Sequence, residues 1–279
     1  MYDKISTVGE SVIQHGKSND RIYLMELAGG DVPDIINELE NLCVEKSYSK
    51  IIAKVPEEKV HIFEENGYLQ EAHIPGYYNG KSNAAIVAKY FNRERQRENN
   101  QELINEILSL ARKKARKNFV ASDVAPLSIG TASTADEAEQ MSLVYKEVFD
   151  SYPFPIHNPE YLHKTMNNHV QYFYVREGNR FVALSSAEMN HNWGNVEMTD
   201  FATLPEYQGK GLAICLLQTM EKVMRVKGFK TAYTIARALS AGMNITFSKM
   251  GYTYSGTLTN NTNISGNIES MNIWYKKLC

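Results

Sequence analysis

The stretch of sequence that decides the fold runs from residue 197 to residue 213 and reads EMTDFATLPEYQGKGLA. Its first part, EMTDFAT, has the β-branched and aromatic residues typical of a strand. Its last part, QGKGLA (208–213), opens an amphipathic segment in which Leu212 and Leu216 mark one helical face. Glycines at such a junction let successive backbone amides turn toward one point, where the positive end of a helix favours an anion. The stretch therefore predicts a strand, an anion-binding turn and a helix in succession.

The composition predicts a globular protein and excludes several partner classes. The chain has 279 residues, enough for two domains, with 43% apolar and 22% charged residues. A formal net charge of -2 provides no general field for nucleic acid or an anionic membrane, so we expect neither as a partner. Three widely spaced cysteines do not suggest a disulfide framework. The sequence also has no signal-like or membrane-spanning apolar run. These features and the cysteine pattern together predict a soluble cytoplasmic protein.

Around the opening stretch, the second half of the chain has a dense pattern of predicted elements. Thr134 and Glu137 form a capping box at the start of a helix, and the Pro-rich loop at 151–159 cannot be helix interior. The segments that read as strands or helices are SIGTA (128–132), QYFYVREG (171–178), RFVALSSAEM (180–189), NVEMTDFATL (195–204), TAYTIA (231–236), SAGMNITFSKMGY (240–252) and SMNIWYKKL (270–278).

The first ninety residues repeat part of this order. Strand-like RIYLMEL (21–27), SKIIAKV (49–55) and NAAIVAKYF (83–91) alternate with helical segments at 32–46 and 57–68. We therefore predict a degenerate tandem repeat, with an N-terminal domain at 1–91, a charged connecting helix and linker at 92–126, and a catalytic domain at 127–279. The basic run ARKKARK (111–117) is interpreted as cations near a helix C-terminus, and the low net charge disfavours nucleic-acid binding.

The turn at 208–213 fits the pattern Q-x-x-G-x-A and neither the P-loop nor the dinucleotide-binding pattern. In this setting, residues 128–279 resemble the GNAT acetyltransferase superfamily. The resemblance implies an α/β (α+β) fold with a central mixed, splayed sheet, preceded here by a degenerate GNAT-like half. It also implies acetyl-CoA as co-substrate, with the pyrophosphate held by Gln208, Gly209, Lys210, Gly211, Leu212 and Ala213. The pantetheine would lie along Phe201, Ala202 and Thr203, and Ser240 would either contact the cofactor or act only as a helix N-cap.

Further segments resemble the β-lysine N-acetyltransferases. These are EMTDFAT, YTIARALSAGMN (233–244), TLTNNTNISG (257–266), IESMNIWYK (268–276) and, in the N-terminal half, EAHIPGYYNG (71–80). This resemblance implies that the acceptor is the ε-amine of L-β-lysine and that the product is the osmolyte Nε-acetyl-β-lysine. The N-terminal half lacks the Q-x-x-G-x-A pattern, since AGGDVPD (28–34) has neither its glutamine nor its glycine spacing. We therefore expect one acetyl-CoA per chain.

The chemistry requires a base, because an aliphatic ammonium with a pKa of about 10.4 cannot attack a thioester. Glu197 is our candidate, since related acetyltransferases often have a glutamate on the corresponding strand, and Glu188 and Asp200 are alternatives. Because side chains alternate along a strand, we expect Glu197 and Asp200 to face opposite sides. Phe247 occupies the helix position where many relatives have a tyrosine acid. The general acid is therefore unassigned, with Tyr252 and Tyr254 nearby in sequence.

The candidates for binding the substrate are polar residues of two predicted strands, of the Pro-rich loop and of the segments near residue 237 and the last hairpin. Arg237 could pair with a carboxylate, and the others are Tyr152, His157, Glu188, Asp200, Asn261, Asn263 and Glu269. The seven histidines have no metal-site spacing, so no metal is expected. Two other functions stay open: a GNAT enzyme for another amine, such as a polyamine, an amino acid or a protein lysine, and a non-catalytic CoA-binding regulator. A homodimer is also left open.

Overall fold

The computed structural model describes residues 2–115 and 127–278 of the chain. This part contains two mixed β-sheets, a six-stranded N-terminal sheet and a seven-stranded C-terminal sheet, with helices packed against them. The predicted α/β class is therefore confirmed. The last two residues of the basic run at 111–117, the remainder of the predicted linker up to 126, and Cys279 lie outside the described residues.

The N-terminal sheet has the strand order β1-β2-β3-β4-β6-β5, and β3 and β4 run parallel. Its strands are β1 (Lys4–Val8), β2 (Ser11–Gly16), β3 (Arg21–Glu26), β4 (Lys50–Pro56), β5 (Leu69–Tyr78) and β6 (Ser82–Tyr90). The parallel pair needs a crossover, which is supplied by α1 (Ile35–Glu45), and α2 (Val60–Glu65) follows β4. The elements predicted between residues 21 and 91 are thus confirmed, while β1, β2 and β5 were not predicted.

The C-terminal sheet has the order β12-β13-β11-β10-β9-β8-β7, and β10 and β11 are its parallel pair. Its strands are β7 (Ser128–Thr131), β8 (Val170–Glu177), β9 (Arg180–Asn190), β10 (Asn195–Thr203), β11 (Thr231–Arg237), β12 (Thr253–Ile264) and β13 (Asn267–Lys277). The capping box of Thr134 and Glu137 is confirmed at the start of its first helix. The Pro-rich loop ends where Pro159 occupies the first turn of the second helix, a position that tolerates proline.

Six further α-helices lie in the described part of the chain: two connect the halves and four belong to the C-terminal half. They are α3 (Arg93–Gln96), α4 (Gln101–Ala115), α5 (Ala135–Val148), α6 (Pro159–Met166), α7 (Leu212–Val226) and α8 (Ala241–Lys249). The connecting helix α4 packs against α8. The sequence predicts that Leu103, Ile107 and Ala111 form its apolar face, and Ile107 and Ala111 are buried. Leu103, however, is 48% exposed, and Ile104 and Leu108 are buried in the C-terminal core in its place. The residues that share this face follow the spacing i, i+3, i+4, i+7 from residue 104.

The two sheets share one topology. The order β1-β2-β3-β4-β6-β5 of the first sheet corresponds to β8-β9-β10-β11-β13-β12 of the second, and the parallel pair occupies the same place in each. The repeat inferred from the sequence is therefore present in the strand order. The C-terminal sheet adds β7 at its edge.

The sheets pack against each other through a shared apolar cluster. Ile52, Ile74 and Ile86 of the N-terminal sheet meet Leu258 and Ile273 of the C-terminal sheet. The approach is close, since a Cβ placed on Gly256 would lie 2.1 Å from the backbone oxygen of Glu71. The buried Lys50 also bridges the sheets, because its Nζ donates to Glu71 at 2.9 Å and to the backbone oxygen of Thr259 at 2.8 Å. The two halves therefore form one packed unit.

Candidate active site

The glycine turn after β10 has the geometry expected of an anion site. Gly209 and Gly211 have φ values of 76° and 79°, which place both in the left-handed region that glycine adopts without strain. Gly211 is the N-cap of α7 and, among the described residues, no side chain caps this helix. The first amides of α7 are therefore directed at the turn without an intrahelical partner. Lys210 Nζ lies 4.4 Å from the ring centroid of Tyr207, and Gln208 Nε2 donates to the oxygen of Thr203 at 3.3 Å.

The parallel strands β10 and β11 separate just before this turn. They pair only from Asn195 to Glu197, opposite 231–233, although β11 continues to Arg237. Beyond that point, Ala202 and Thr203 remain paired with β9, and Phe201 lies in the bulge between Thr199 and Ala202. Among the described residues, none of these three pairs with β11. The predicted splay of the sheet is confirmed. It leaves backbone donors and acceptors on one edge of β10 for a ligand.

Helix α8 and its N-cap residue, Ser240, lie beside the point where β10 and β11 separate. Phe201 packs edge-to-face on Phe247, with ring centroids 5.7 Å apart. Ser240 is the N-cap residue of α8, and its side chain makes no capping hydrogen bond within the described part of the chain. Its position thus agrees with the N-cap interpretation, while its hydroxyl is left for another partner. Asn244, which the sequence did not single out, holds this region together: its Oδ1 accepts from Asn272 and Trp274, and its Nδ2 donates to Arg237 and Ser240 carbonyls.

A cavity of about 480 Å³ lies between the two halves of the chain. Its volume is within the range of small-molecule sites. The C-terminal half contributes Glu188, Glu197 and Asp200, and the N-terminal half contributes Arg21, Tyr23, Lys54 and Tyr77. None of the predicted substrate-binding residues lies in the N-terminal half, so its contribution to this cavity was not predicted. The N-terminal half therefore forms part of the same site as the strand glutamates.

Glu188 and Glu197 are direct cross-strand neighbours in the antiparallel pair β9–β10. Directly opposed side chains have Cβ atoms roughly 5 Å apart, so two ionised carboxylates there repel each other. Burial raises the pKa of Glu197 to about 7, against the lowering effects of Lys54 and of a hydrogen bond from Tyr233. Burial and the neighbouring charges of Glu197 and Asp200 raise the pKa of Glu188 well above its usual value. Of the two, Glu188 is driven more strongly toward its neutral form, which leaves Glu197 as the better proton acceptor.

Asp200 faces the same cavity as Glu197, which corrects the expectation that they lie on opposite faces. The alternation is broken by a β-bulge, because Thr199 pairs with Ser186 while Ala202 pairs with Leu184. Asp200 has a φ of 53° at this bulge. Its carboxylate accepts from the hydroxyls of Tyr152 and Ser186, each at 2.5 Å. Burial raises the pKa of Asp200, and these two hydrogen bonds act to lower it. With both oxygens engaged, Asp200 positions Tyr152 and is less accessible as a base than Glu197.

Lys54 is a buried cation of this cavity and comes from β4 of the N-terminal half. Its Nζ lies 5.0 Å and 5.7 Å from the ring centroids of Tyr77 and Tyr233. Burial alone lowers the pKa of Lys54, but the phenols of Tyr23 and Tyr77 and the carboxylate of Glu197 raise it overall. The ammonium group therefore stays charged and favours the ionised form of Glu197.

The structure brings some of the predicted substrate residues to the cavity and leaves others outside it. Tyr152 and Asn261 line it. Arg237 does not line the cavity. Its Nε and Nη2 donate to the two oxygens of Glu269 at 2.9 and 2.6 Å, so its guanidinium is already paired with a carboxylate. His157 is also absent from the cavity wall, and Asn263 instead donates to the backbone oxygen of Ser18. Among the described residues, neither Tyr252 nor Tyr254 lines the cavity, so the general acid stays unassigned.

Comparison with known proteins assigns the family. The Acetyltransferase (GNAT) family model matches residues 138–252. The chain is 43% identical over 274 residues to a β-lysine N(6)-acetyltransferase of Methanococcus maripaludis, covering 98% of each chain. It is 32% identical to the N-acetyltransferase YodP of Bacillus subtilis, covering 96% of each, and 32% identical to a β-lysine N(6)-acetyltransferase of Methanosarcina mazei, covering 89% of this chain and 98% of that one.

The chain belongs to the GNAT acetyltransferase family. It is therefore an acetyl-CoA-dependent N-acetyltransferase, which removes the non-catalytic regulator from the open functions. The glycine turn and the separated edge of β10 fit the two parts of this co-substrate. The turn offers amides and a helix N-terminus to the diphosphate, and the strand edge offers backbone groups to the amide-bearing pantetheine arm. The individual contacts of residues 201–203, 208–213 and 240 with acetyl-CoA stay predictions.

The described residues contain neither a cluster of potential metal ligands nor a helix suited to cross a membrane. No cluster of three or more His, Cys, Asp or Glu in residues 2–115 and 127–278 is placed to hold a metal ion. No helix in those ranges combines the length and apolarity needed to cross a membrane. Cys215 is buried in α7, and burial raises the pKa of its thiol, in agreement with a core residue.

The turn can be tested at Gly209, where an added Cβ would meet no atom within 4 Å. Gly209→Ala should raise the KM for acetyl-CoA by about 5- to 30-fold, since a left-handed alanine costs about 1–2 kcal/mol and relaxation turns an amide away from the phosphate. Gly228→Ala is the matched control at the other end of α7, with φ of 87° and equally open space. It should lower the melting temperature similarly and leave this KM unchanged. Equal KM values for both variants would contradict the assignment of the turn.

Proposed function

We propose that this N-acetyltransferase transfers the acetyl group of acetyl-CoA to the N6 amine of L-β-lysine, giving N6-acetyl-β-lysine. The observation that carries the proposal is the 43% identity, over 98% of both chains, to a protein named β-lysine N(6)-acetyltransferase. The cavity agrees with a small, doubly cationic acceptor, because four carboxyl side chains line it, those of Glu26, Glu188, Glu197 and Asp200. A volume of about 480 Å³ also suits a small molecule.

In the proposed reaction, Glu197 takes a proton from the N6 ammonium, directly or through one water. The pKa of Glu197, raised by burial to about 7, lies where a general base works best near neutral pH. The pKa of Glu188 beside it is raised well above its usual value by burial and by the neighbouring carboxylates, which favours the neutral form of Glu188. The neighbouring Lys54 keeps Glu197 ionised often enough to act.

The deprotonated amine then attacks the thioester carbonyl. The new C–N bond forms, negative charge develops on the carbonyl oxygen, and the C–S bond breaks to release the thiolate of CoA. A backbone amide near Phe201 and Ala202, on the edge that β11 leaves open, is placed to donate to that oxygen. Because a thiol has a pKa of about 8.5, thiolate is a tolerable leaving group even without a dedicated acid. This accounts for Phe247 at the position of the usual tyrosine.

The proposal assigns separate tasks to the parts of the chain. Residues 127–279 bind acetyl-CoA and supply the base, residues 92–126 connect the halves, and residues 1–91 complete the acceptor cavity. This division is supported by the cavity-lining side chains of β3 and β4 and by the shared apolar cluster of the two sheets. The cytoplasmic location, the lack of a nucleic-acid partner and a homodimer stay predictions.

A substrate panel tests the proposed function. Purified protein is assayed with acetyl-CoA and with β-lysine, α-lysine, spermidine and a lysine-containing peptide, and tandem mass spectrometry locates the acetyl group. We expect kcat/KM for β-lysine to exceed that for each alternative by about 100-fold or more, because a site that pairs with polar groups rejects molecules lacking or misplacing them. We also expect the acetyl group on N6. A higher kcat/KM for spermidine or the peptide, or acetylation at N3, would contradict the proposal.

A further inference from the structure

Arg21 is a buried cation in the wall of the cavity that the mechanism above does not use. It lies at the start of β3, and Arg21, Tyr23 and Met25, which alternate along the strand, line the cavity together. The residue is only 4% exposed. Although burial lowers the pKa of Arg21 to about 10, its guanidinium remains charged at neutral pH.

The hydrogen bonds of Arg21 leave one side of its guanidinium free. Nη1 donates to the backbone oxygen of Asn261 at 2.5 Å and to the Thr262 hydroxyl at 3.1 Å, which fixes the side chain. Nε is buried and has no acceptor among the described residues. The acid with the largest effect on Arg21, Asp3, uses its carboxylate to accept from Ser18 and Asn19.

Other buried cations between the two sheets have anionic partners. Lys50 pairs with Glu71 at 2.9 Å, and Arg95 lies 3.7 Å from Asp20. Lys54 is held in its charged form by Glu197, as described above. Within residues 2–115 and 127–278, Arg21 forms no ion pair, and an uncompensated buried charge is costly. Its anionic partner is therefore to be sought in the ligand.

Two unpaired acceptors lie in the same wall. The Oε1 atom of Gln14 and the Oδ1 atom of Asn261 are buried and have no donor among the described residues. Gln14 is on β2, beside β3, and Asn261 is the residue whose backbone oxygen fixes Arg21. One unpaired cationic donor next to two unpaired acceptors complements a carboxylate that has an ammonium group close to it.

We propose that Arg21, Gln14 and Asn261 form the subsite for the β-amino acid end of the acceptor. Arg21 binds the carboxylate, and Gln14 and Asn261 accept hydrogen bonds from the 3-ammonium group, so that the N6 amine extends toward Glu197. This inference rests on the proposed function. Extended β-lysine spans roughly 8 Å from its carboxyl carbon to N6 by standard bond lengths. Arg21 and Glu197 line the same cavity, so the two ends of one acceptor molecule are assigned to one continuous space.

The test compares β-lysine with 1,4-diaminopentane, which has the same chain and both amines but no carboxylate. We expect the wild-type enzyme to prefer β-lysine by about 100-fold or more in kcat/KM, because a guanidinium left unpaired by the diamine disfavours it. Arg21→Gln should lower kcat/KM for β-lysine by about 100-fold, chiefly through KM, and leave that for the diamine within about 3-fold. The preference should therefore disappear in this variant.

Arg95→Gln is the matched control, since it removes another buried guanidinium from the same interface. Arg95 donates to the backbone oxygens of Asn260 and Asn19 and does not line the cavity. It should lower the melting temperature and leave the preference for β-lysine unchanged. A preference that survives Arg21→Gln, or is lost equally in Arg95→Gln, would overturn the subsite.

Two further measurements keep the inference testable if Arg21→Gln does not fold. Wild-type enzyme that accepts the diamine as well as β-lysine overturns the subsite without any variant. Gln14→Leu should reduce the preference for β-lysine over 6-aminohexanoate, which lacks only the 3-amino group, and an unchanged preference counts against the subsite. Activity on β-lysine without dependence on Arg21 refutes the subsite alone, whereas a wild-type enzyme inactive on β-lysine refutes the proposed function as well.

Discussion

Glu197→Gln should lower kcat for amine acetylation by about 100- to 10,000-fold, the range typical of losing a general base. The amide keeps the size of the side chain and its place on β10, but it cannot take a proton from the ammonium. The affinity for acetyl-CoA should stay at the wild-type value, because Glu197 precedes the point where β10 and β11 separate. Steady-state kinetics together with calorimetric titration of acetyl-CoA measures both quantities.

Two further variants serve as comparisons for Glu197→Gln. Glu221→Gln removes another buried carboxylate, the partner of Lys276 at 2.7 Å on the far side of α7, and should reduce stability while leaving kcat within about 3-fold. Glu188→Gln should cost less activity than Glu197→Gln, since burial and the neighbouring carboxylates raise the pKa of Glu188 and so favour its neutral form. If Glu188→Gln is the more damaging of the two, the base is Glu188 and our assignment is wrong.

Lys54→Met should shift the acid limb of the pH–rate profile to higher pH. Burial raises the pKa of Glu197 to about 7 even though the charge of Lys54 acts to lower it. Removing that charge should therefore raise the pKa of Glu197 further. An opposite charge at close range is worth about 1–3 pKa units. A shift of one unit, from about 7 to about 8, lowers the ionised fraction of Glu197 at pH 7 from about one half to about one tenth, so kcat/KM should fall about 5-fold there. Activity should recover at higher pH, where Glu197 ionises again.

Lys50→Met is the matched control for Lys54→Met. Both lysines are buried on the same face of β4, but Lys50 pairs with Glu71 and does not line the cavity. Lys50→Met should therefore lower the melting temperature and leave the midpoint of the acid limb in place. A pH–rate profile of Lys54→Met that coincides with wild type would show that the N-terminal half does not tune the base.

Much of the fold could be predicted from local sequence signals. The capping box at Thr134, the alternation along β8 and β9, and the glycine turn at Gly209 each encode their own local structure. The strands β1, β2 and β5 were missed, because their burial depends on the packing of other segments and their local patterns are weak. The apolar face of α4 was misplaced by one residue at Leu103, since the side that contacts α8 is set by tertiary packing.

The site residues could be predicted only where they lie together in one contiguous stretch of sequence. Glu197, Asp200 and the glycine turn lie within seventeen residues of sequence, whereas Arg21 and Lys54 reach the same cavity from a different sheet. The bulge at Asp200 could not be seen from alternation, because an unpaired extra residue leaves no mark in the apolar pattern. Arg237 was a reasonable carboxylate partner by residue type, but Glu269, 32 positions away, already fills its fork.

The most direct test of the account is the position of the acceptor in a complex with CoA and β-lysine, determined by crystallography. We predict that β-lysine occupies the cavity between the two sheets, with N6 within hydrogen-bond distance of Glu197 or joined to it by one water. The sulfur of CoA should enter where β10 and β11 separate, near Phe201. A structure with β-lysine bound outside this cavity, or with N6 out of reach of Glu197, would contradict it.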